Sequence, residues 1–372
     1  MSTHHSLYRC VAAVIVALAA IAPNAGVGNH YILPCGEKCE RATGFAYIGN
    51  ELSDYVTVVD TTTHSVVAAI DVGQRTTGVA VNTASTRVYA VNDHNLVVID
   101  TATNAVVATI NYQTDSESRA AVAVNSAGTR VYVTDQRREG IAVIDTATNT
   151  VIANVATGHH AFGIAVNPDG TRVYATSPYD DIVSVIDAVT DTLVANSPID
   201  NPYTDPPVGA GDFSAGPGGM VVDPTGTRVY VANSWLGNQV DGHVYMTIID
   251  AATNTIIANV PIGPKAGDNR PNLAMNAAGT RVYLSNGAII DTASNAMIGT
   301  IPLPGCCLAI DPSGARIYAV LQDPPSLAIF DAESHSVVAT VPLEGFPVAF
   351  DQFVAMRGGG NQVPALDVPP SR

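Results

Sequence analysis

Positively charged residues are scarce in this sequence. Lysine and arginine together number 17 among 372 residues, against 33 aspartates and glutamates, so the formal net charge is −16. An acidic chain without a basic stripe argues against nucleic acid and against anionic lipid as partners. Charged residues of both signs make up only 13% of the chain and apolar residues 47%, a balance typical of strands and turns rather than of disorder.

Long apolar runs are also lacking, with one exception near the N-terminus. The run from Val11 to Ala22 follows Arg9 and precedes small residues that end at Ala25. This pattern predicts a signal peptide over residues 1–25, because the run is too short for a comfortable membrane span. An uncleaved anchor is the alternative. We expect the mature protein to be secreted, periplasmic or on the cell surface, without membrane insertion.

Cysteine is rare, and its positions favour disulfides over cofactors. The five cysteines are Cys10, which would leave with the signal peptide, Cys35, Cys39 and the adjacent pair Cys306 and Cys307. Four cysteines would remain in the mature protein, and an even count in an exported chain favours disulfides. We predict a local Cys35–Cys39 bridge in an N-terminal arm over residues 26–44. Thiols at Cys306 and Cys307, or their pairing with the other two, stay open.

Cofactor motifs are missing as well. The C-x-x-x-C has no following histidine for haem attachment and no companion pair at zinc spacing. No G-x-G-x-x-G, phosphate loop or H-E-x-x-H occurs. We therefore expect no cofactor and no resident metal.

What the chain does contain is one phrase repeated seven times between Gly44 and Val354. The aspartate that ends its third part recurs at intervals of 40 to 45 residues, apart from one interval of 63, at Asp60, Asp100, Asp145, Asp187, Asp250, Asp291 and Asp331. A period of this length with four strand-like segments in each copy predicts the blades of a β-propeller.

The order of strands predicts how the ring closes. The clearest copy places strands near residues 163–167, 172–176, 183–187 and 193–197. The repeat opens on a second strand at Phe45 and ends on a first strand at Pro347, so one blade must combine both ends of the chain. The sequence therefore predicts an all-β, seven-bladed propeller over residues 45–354, with four antiparallel strands per blade and a flexible tail over residues 355–372.

Two recurring residues are predicted to be structural. An arginine begins most second strands, next to the aspartate that ends the third strand, so we expect a ladder of Arg–Asp pairs. A tyrosine that recurs in every second strand is expected to pack between blades.

The second strands also carry a family resemblance. The phrases that begin at Tyr89, Tyr132, Tyr230 and Tyr283 read YAVN, YVTD, YVAN and YLSN. They resemble the motif of the YVTN-type β-propeller repeat proteins, which are similar to surface-layer proteins, and the resemblance covers about residues 44–354. It implies a seven-bladed propeller outside the cytoplasm that serves in binding or surface contact. The motif is a packing motif and carries no catalytic residue to this chain.

Three long loops predict where ligands bind. They span residues 200–217, 233–244 and 263–271, adjacent around the ring on one face, and long loops on a rigid scaffold tend to carry function. We predict ligand binding by side chains of these loops and of a nearby histidine pair: Trp235, Asp241, His243, Lys265, Arg270, His159 and His160. The alternative is that the loops merely pack on one another around Trp235.

Three functional hypotheses follow. The preferred one is an exported, monomeric binding module that recognises a protein, a glycan or a small ligand and is not an enzyme. The first alternative is a lactonase-like hydrolase, or an accessory protein of a quinone or copper oxidoreductase system, with candidate groups His159, His160, Asp241 and His243. The second alternative is a structural protein of the cell envelope.

Overall fold

The computed structural model contains seven antiparallel sheets, each four strands wide, in the propeller arrangement that the repeat predicts. The structure describes residues 43–112, 120–135, 139–199, 216–234, 243–264, 271–302, 305–348 and 353–357. All regular structure in these ranges is β-strand. No helix among the described residues is long and apolar enough to cross a membrane.

The strands follow one another blade by blade. Blade one contains β1 (Thr43–Asn50), β2 (Tyr55–Asp60) and β3 (Ser65–Asp71), together with the two last strands of the chain. Blade two contains β4 (Thr76–Val81), β5 (Arg87–Asn92), β6 (Asn95–Asp100) and β7 (Ala105–Asn111). Blade three contains β8 (Val122–Val124), β9 (Arg130–Asp135), β10 (Gly140–Asp145) and β11 (Thr150–Ala156). Blade four contains β12 (Ile164–Val166), β13 (Arg172–Ser177), β14 (Ile182–Asp187) and β15 (Thr192–Pro198).

The remaining blades repeat this order. Blade five contains β16 (Gly216–Val222), β17 (Arg228–Ser234), β18 (His243–Asp250) and β19 (Thr255–Pro264). Blade six contains β20 (Leu273–Met275), β21 (Arg281–Leu284), β22 (Ala288–Asp291) and β23 (Ala296–Thr300). Blade seven contains β24 (Gly305–Ile310), β25 (Arg316–Gln322), β26 (Pro325–Asp331) and β27 (Val337–Pro342). The chain then returns to blade one with β28 (Pro347–Val348) and β29 (Val354–Arg357).

Both ends of the chain meet in blade one, as predicted. β28 pairs with the end of β1 at Gly49 and Asn50, and β29 pairs with its beginning from Thr43 to Ala46. Between these two pairings, the Tyr47 backbone N–H donates a hydrogen bond of 2.9 Å to the Phe353 carbonyl. The innermost strand of this blade therefore consists of two short pieces, and it extends to Arg357.

Side chains that cap turns fix the ends of the strands. In blade two, the Asn82 carboxamide oxygen accepts from the backbone N–H groups of Thr86 at 2.8 Å and Arg87 at 2.9 Å. The turn after the third strand ends on a residue with positive φ, which is Asn or Asp in most copies but His64 and His335 in two of them. Asn and Asp tolerate this conformation best among residues with a side chain, which explains their recurrence.

The predicted Arg–Asp ladder is confirmed. Each recurring arginine lies opposite the recurring aspartate of its own blade in the strand register. The guanidinium groups bond the carboxylates in blades two, three, four and seven, as in the 2.5 Å contact between Arg172 and Asp187. Hydrogen bonds from the Thr190 and Val189 amides, with Arg172, hold the pKa of Asp187 below its usual value.

The recurring tyrosines lie between blades, also as predicted. The Tyr47 hydroxyl of blade one donates to Asn104 of blade two at 3.0 Å, and the Tyr283 ring of blade six lies edge-on to His335 of blade seven. Tyr47, Tyr132, Tyr174, Tyr230 and Tyr283 are among the largest fully buried side chains. Tyr47 and Tyr283 therefore each contact a turn of the following blade.

Candidate functional site

The two faces of the propeller have different roles. The face that carries the turns between second and third strands and the connections between blades is called the connection face here, and the opposite one the turn face. The innermost strands of blades two to seven surround a central cavity of about 240 Å³. Its described lining side chains are apolar, mainly alanine and valine, so they offer no acid or base. Any chemistry of the described residues must lie outside the cavity.

Threonine hydroxyls join neighbouring blades around the connection-face end of the cavity. Thr176 accepts from the Gly163 N–H at 2.7 Å in its own blade and donates to the Gly218 carbonyl of blade five at 3.0 Å. Thr134 makes a similar link from blade three to the Phe162 carbonyl of blade four at 3.4 Å. These hydroxyls are occupied by the backbone, so they hold the ring together rather than face a ligand.

The asparagine that ends the repeated motif has a structural task on the connection face. The Asn92 amide donates to the Val72 carbonyl of blade one at 3.0 Å, and its oxygen accepts from the turn amides of His94 and Asn95. Asn50 and Asn286 bond the preceding blade in the same way. One side chain thus ties a turn to the adjacent blade.

Blades three and four depart from this pattern. Asp135 and Ser177 replace the asparagine there, and blade seven has Leu321. In blade five Asn233 keeps the residue type but turns inward to Thr247 at 2.8 Å. The connection between blades three and four therefore uses other contacts, and these involve the predicted site residues His159 and His160.

His159 lies between two carboxylates from different blades. Its Nδ1 is 2.9 Å from Asp180 Oδ1, and its backbone N–H donates to Asp180 Oδ2 at 2.6 Å. Its Nε2 lies 3.5 Å from Glu139 Oε1 of blade three. A single imidazole therefore bridges two turns, one in blade three and one in blade four, that each join the second strand to the third. His160, the next residue, stacks on Tyr179 with ring centroids 4.2 Å apart.

Gly158 makes this approach possible. A Cβ atom at this position would lie 2.4 Å from Asp180 Oδ2 and 2.7 Å from the Ser177 Cβ. Distances this short are not tolerated by real side chains, so the chain requires glycine just before the histidine pair.

The electrostatics of the site favour a protonated imidazole. The hydrogen bond that the imidazole donates to Asp180, the charge of Asp180 and the charge of Glu139 raise the pKa of His159 above its usual value. A protonated imidazole donates from both ring nitrogens, which suits the two facing carboxylates. His159 can therefore act as a charged link between the two turns.

Blade two shows the same link with a permanent charge. Arg75 lies in the connection that leads into blade two. Its Nε is 2.7 Å from Oδ1 of Asp93, in the turn between the second and third strands of that blade. His159 and Asp180 occupy the corresponding connection and turn of blade four. The structure thus holds one connection with arginine and the other with a titratable residue.

Carboxylates dominate the described part of the connection face. They come from the turns between second and third strands and from the connections between blades: Glu51, Asp54, Asp71, Asp93, Glu139, Asp180, Asp181, Asp323 and Glu344. Arg75 is the one lysine or arginine that the described ranges place there, and Asp93 pairs with it. The described part of this surface therefore carries more negative than positive charge.

Most of the loop residues predicted to bind ligand lie outside the described residues. This applies to Trp235, Asp241, Lys265 and Arg270, and to the cysteines of the predicted disulfide, Cys35 and Cys39. His243 begins β18, where its backbone pairs with Pro264, and its side chain is not described. Among the predicted residues whose side chains the structure describes, His159 and His160 lie together. Within the described ranges, no group of three or more potential metal ligands is arranged around a common point.

Sequence reasoning missed Glu139, Tyr179 and Asp180, the partners of the two histidines. A signal was present, because Tyr179 and Asp180 stand in a turn that departs from the asparagine pattern of the other copies. Glu139 belongs to a different blade, and only the closed ring brings it to His159.

Comparison with known proteins gives the fold and no family. No protein-family model matches the sequence, and a search of curated proteins finds no match. Solved structures do match. Hydrazine synthase from Kuenenia stuttgartiensis is 18% identical with a TM-score of 0.63, covering 80% of this chain and 92% of its own. A protein from Bacteroides fragilis provisionally named as a 6-phosphogluconolactonase is 12% identical with a TM-score of 0.65, covering 86% and 99%.

A third match is the dihydro-heme d1 dehydrogenase NirN in complex with DHE. It is 14% identical with a TM-score of 0.53, and covers 82% of this chain and 74% of its own. At these identities the likeness shows the propeller fold alone, because one fold carries many unrelated functions.

Proposed function

We propose that this protein is an exported binding module that recognises a positively charged partner protein through its connection face. The observation that carries the proposal is the excess of carboxylates among the described residues of the connection face, which include Glu139 and Asp180 beside His159. On the turn face, by contrast, the recurring aspartates are engaged by arginines and turn amides. Those turn-face contacts serve the fold, and we assign to the carboxylates of the connection face the contacts with a partner's lysines and arginines.

The loop residues complete the proposed recognition face. We assign to it Trp235, Asp241, His243, Lys265 and Arg270, because the three long loops join strands on the same side as His159 and His160. A rigid propeller that carries variable loops on one side is a suitable scaffold for recognition. The apolar run from Val11 to Ala22 supports export, and thus a partner in the periplasm, outside the cell or on its surface.

Hydrolysis has less support from the described residues. A hydrolase needs a general base with an available lone pair or a metal-bound water. His159 has Nδ1 on Asp180 and Nε2 facing Glu139, and the apolar cavity supplies no alternative.

Binding of defined peptides tests the proposal. We expect a labelled decalysine peptide to bind in fluorescence anisotropy, more weakly as salt rises, while a decaglutamate peptide does not bind. A Glu139→Gln, Asp180→Asn variant should bind decalysine at least threefold more weakly. The control variant Glu333→Gln, Asp169→Asn removes the same charge from the turn face and should bind as the native protein does.

Two results would contradict the proposal. Equal weakening of decalysine binding by both double variants would mean that only the net charge of the protein matters. Saturable binding of a neutral glycan, without binding of decalysine, would show that the partner is a glycan and not a positively charged protein. A Trp235→Ala, Arg270→Ala variant tests the loops separately, since it should weaken binding without lowering the melting temperature.

A further inference from the structure

Every blade has the same irregularity in its outermost strand. The register between third and fourth strands shifts by one residue at the same place in all seven sheets. In blade one, Val58 pairs with Ala68 and Val59 with Val66, so Val67 is the extra residue of a β-bulge. Bulges at a sheet edge bend the strand and interrupt its hydrogen-bonding pattern, which hinders pairing with a strand of another molecule.

The extra residue is apolar and exposed in all seven blades. These residues, called the rim belt here, are Val67, Val107, Ile152, Val194, Ile257, Ile298 and Val338, with exposed fractions between 37% and 53%. In most blades the residue before the bulge is a second exposed apolar side chain, such as Val106 or Val337. Exposed apolar patches are typical of interaction surfaces, and here such a patch recurs at the same position on every blade.

The outer strands also lack charge. β3, β7, β11, β15, β19, β23 and β27 contain no lysine, arginine or glutamate, and their one aspartate is Asp71 at the end of β3. Edge strands are commonly protected by charged side chains, and here the bulge takes that role. The carboxylates of this strongly acidic chain are instead concentrated in the turns of the two faces.

We propose that the rim belt is a lateral contact surface between copies of this protein. Two copies that approach face to face bring their carboxylates together, whereas two rims meet with uncharged apolar side chains. Because the bulges hinder strand pairing, the contact is formed by side chains such as Val107 and Val194. Each ring offers several equivalent positions, so association is weak, depends on concentration and does not stop at a dimer.

The salt dependence of self-association distinguishes an apolar contact from an electrostatic one. Acidic copies repel one another over roughly 10 Å at 0.1 M salt and over roughly 3 Å at 1 M. We therefore expect the weight-average sedimentation coefficient of the mature protein, from about 10 µM to about 500 µM, to rise more steeply in 1 M salt than in 0.1 M.

A variant of the rim belt tests the residues. Replacement of all seven belt residues by threonine keeps their β-branched or strand-compatible character and removes apolar surface. We expect this variant to keep its melting temperature within a few degrees and to sediment as a monomer at every concentration. The control Leu52→Thr, Val189→Thr removes two more exposed side chains, at 76% and 78%, from turns outside the rim, and should associate as the native protein does.

Three outcomes would overturn the proposal. These are a native protein that stays monomeric at the highest concentration in 1 M salt, equal association of the native and belt variants, or association that salt abolishes. Co-sedimentation of the native protein with phosphatidylcholine vesicles, lost in the belt variant, would assign the belt to lipid and would likewise refute a contact between copies. If the belt variant unfolds, Val107→Thr, Val194→Thr provides the same comparison with two changes.

Discussion

Removal of the Thr176 hydroxyl should destabilise the propeller more than any exposed threonine change. The Thr176 side chain is fully buried, and its Oγ1 accepts from the Gly163 N–H and donates to the Gly218 carbonyl. Valine has a similar size and cannot make either bond. Since a buried polar group without a partner costs about 1–3 kcal/mol, the two backbone groups together predict a loss of about 2–6 kcal/mol in the free energy of unfolding.

Urea denaturation followed by circular dichroism measures this loss. The change should appear in the midpoint with an unchanged slope, because the surface exposed on unfolding stays the same. Thr190→Val is the matched control: its side chain is exposed, so the free energy of unfolding should change by less than about 0.5 kcal/mol. A Thr176→Val loss as small as that of the control would refute the view that this hydroxyl joins blades four and five.

Three further changes test other contacts. Gly158→Ala should lower the melting temperature by several degrees and weaken the link to Asp180, because a Cβ atom 2.4 Å from Oδ2 forces the turn apart; an unchanged melting temperature would contradict this. Burial, followed by the charge of Arg281, lowers the pKa of His335, so the unfolded chain binds its proton more readily and stability falls as pH drops through the ordinary histidine value of about 6.5. His335→Asn should reduce that fall between pH 8 and pH 5 in thermal melts, and an identical pH profile would argue against it. Arg172→Ala should lower the free energy of unfolding by less than about 1 kcal/mol, and less again in 0.5 M salt, because its pair with Asp187 is partly exposed; a larger or salt-independent loss in urea titrations would show a different role.

The architecture was accessible from the sequence because its causes recur in every copy. The Arg–Asp pairs, the interblade tyrosines and the completion of blade one by the last strands each follow from residues at fixed positions in the repeat. Seven copies of a weak pattern specify strand order and closure well, since each copy repeats the same local chemistry.

The candidate site was only partly accessible, because its contacts cross between copies. Two adjacent histidines in a connection between blades indicate a candidate binding site. The neighbouring sequence, however, does not indicate that Glu139 lies near His159 or that Gly158 leaves room for Asp180. The rim belt was missed for a related reason. Apolar pairs such as Val106 and Val107 resemble any strand interior, and only the register shift shows that they face solvent.

The divided innermost strand of blade one has a consequence for biosynthesis. A chain made from its N-terminus carries β1 from the start, yet β1 has no inner neighbour until residues 347–357 have been synthesised. Six blades are complete in sequence before this happens, but the circle stays open until the end. Closure of the full ring therefore has to wait until these last strands have been made, whatever the earlier blades have already formed.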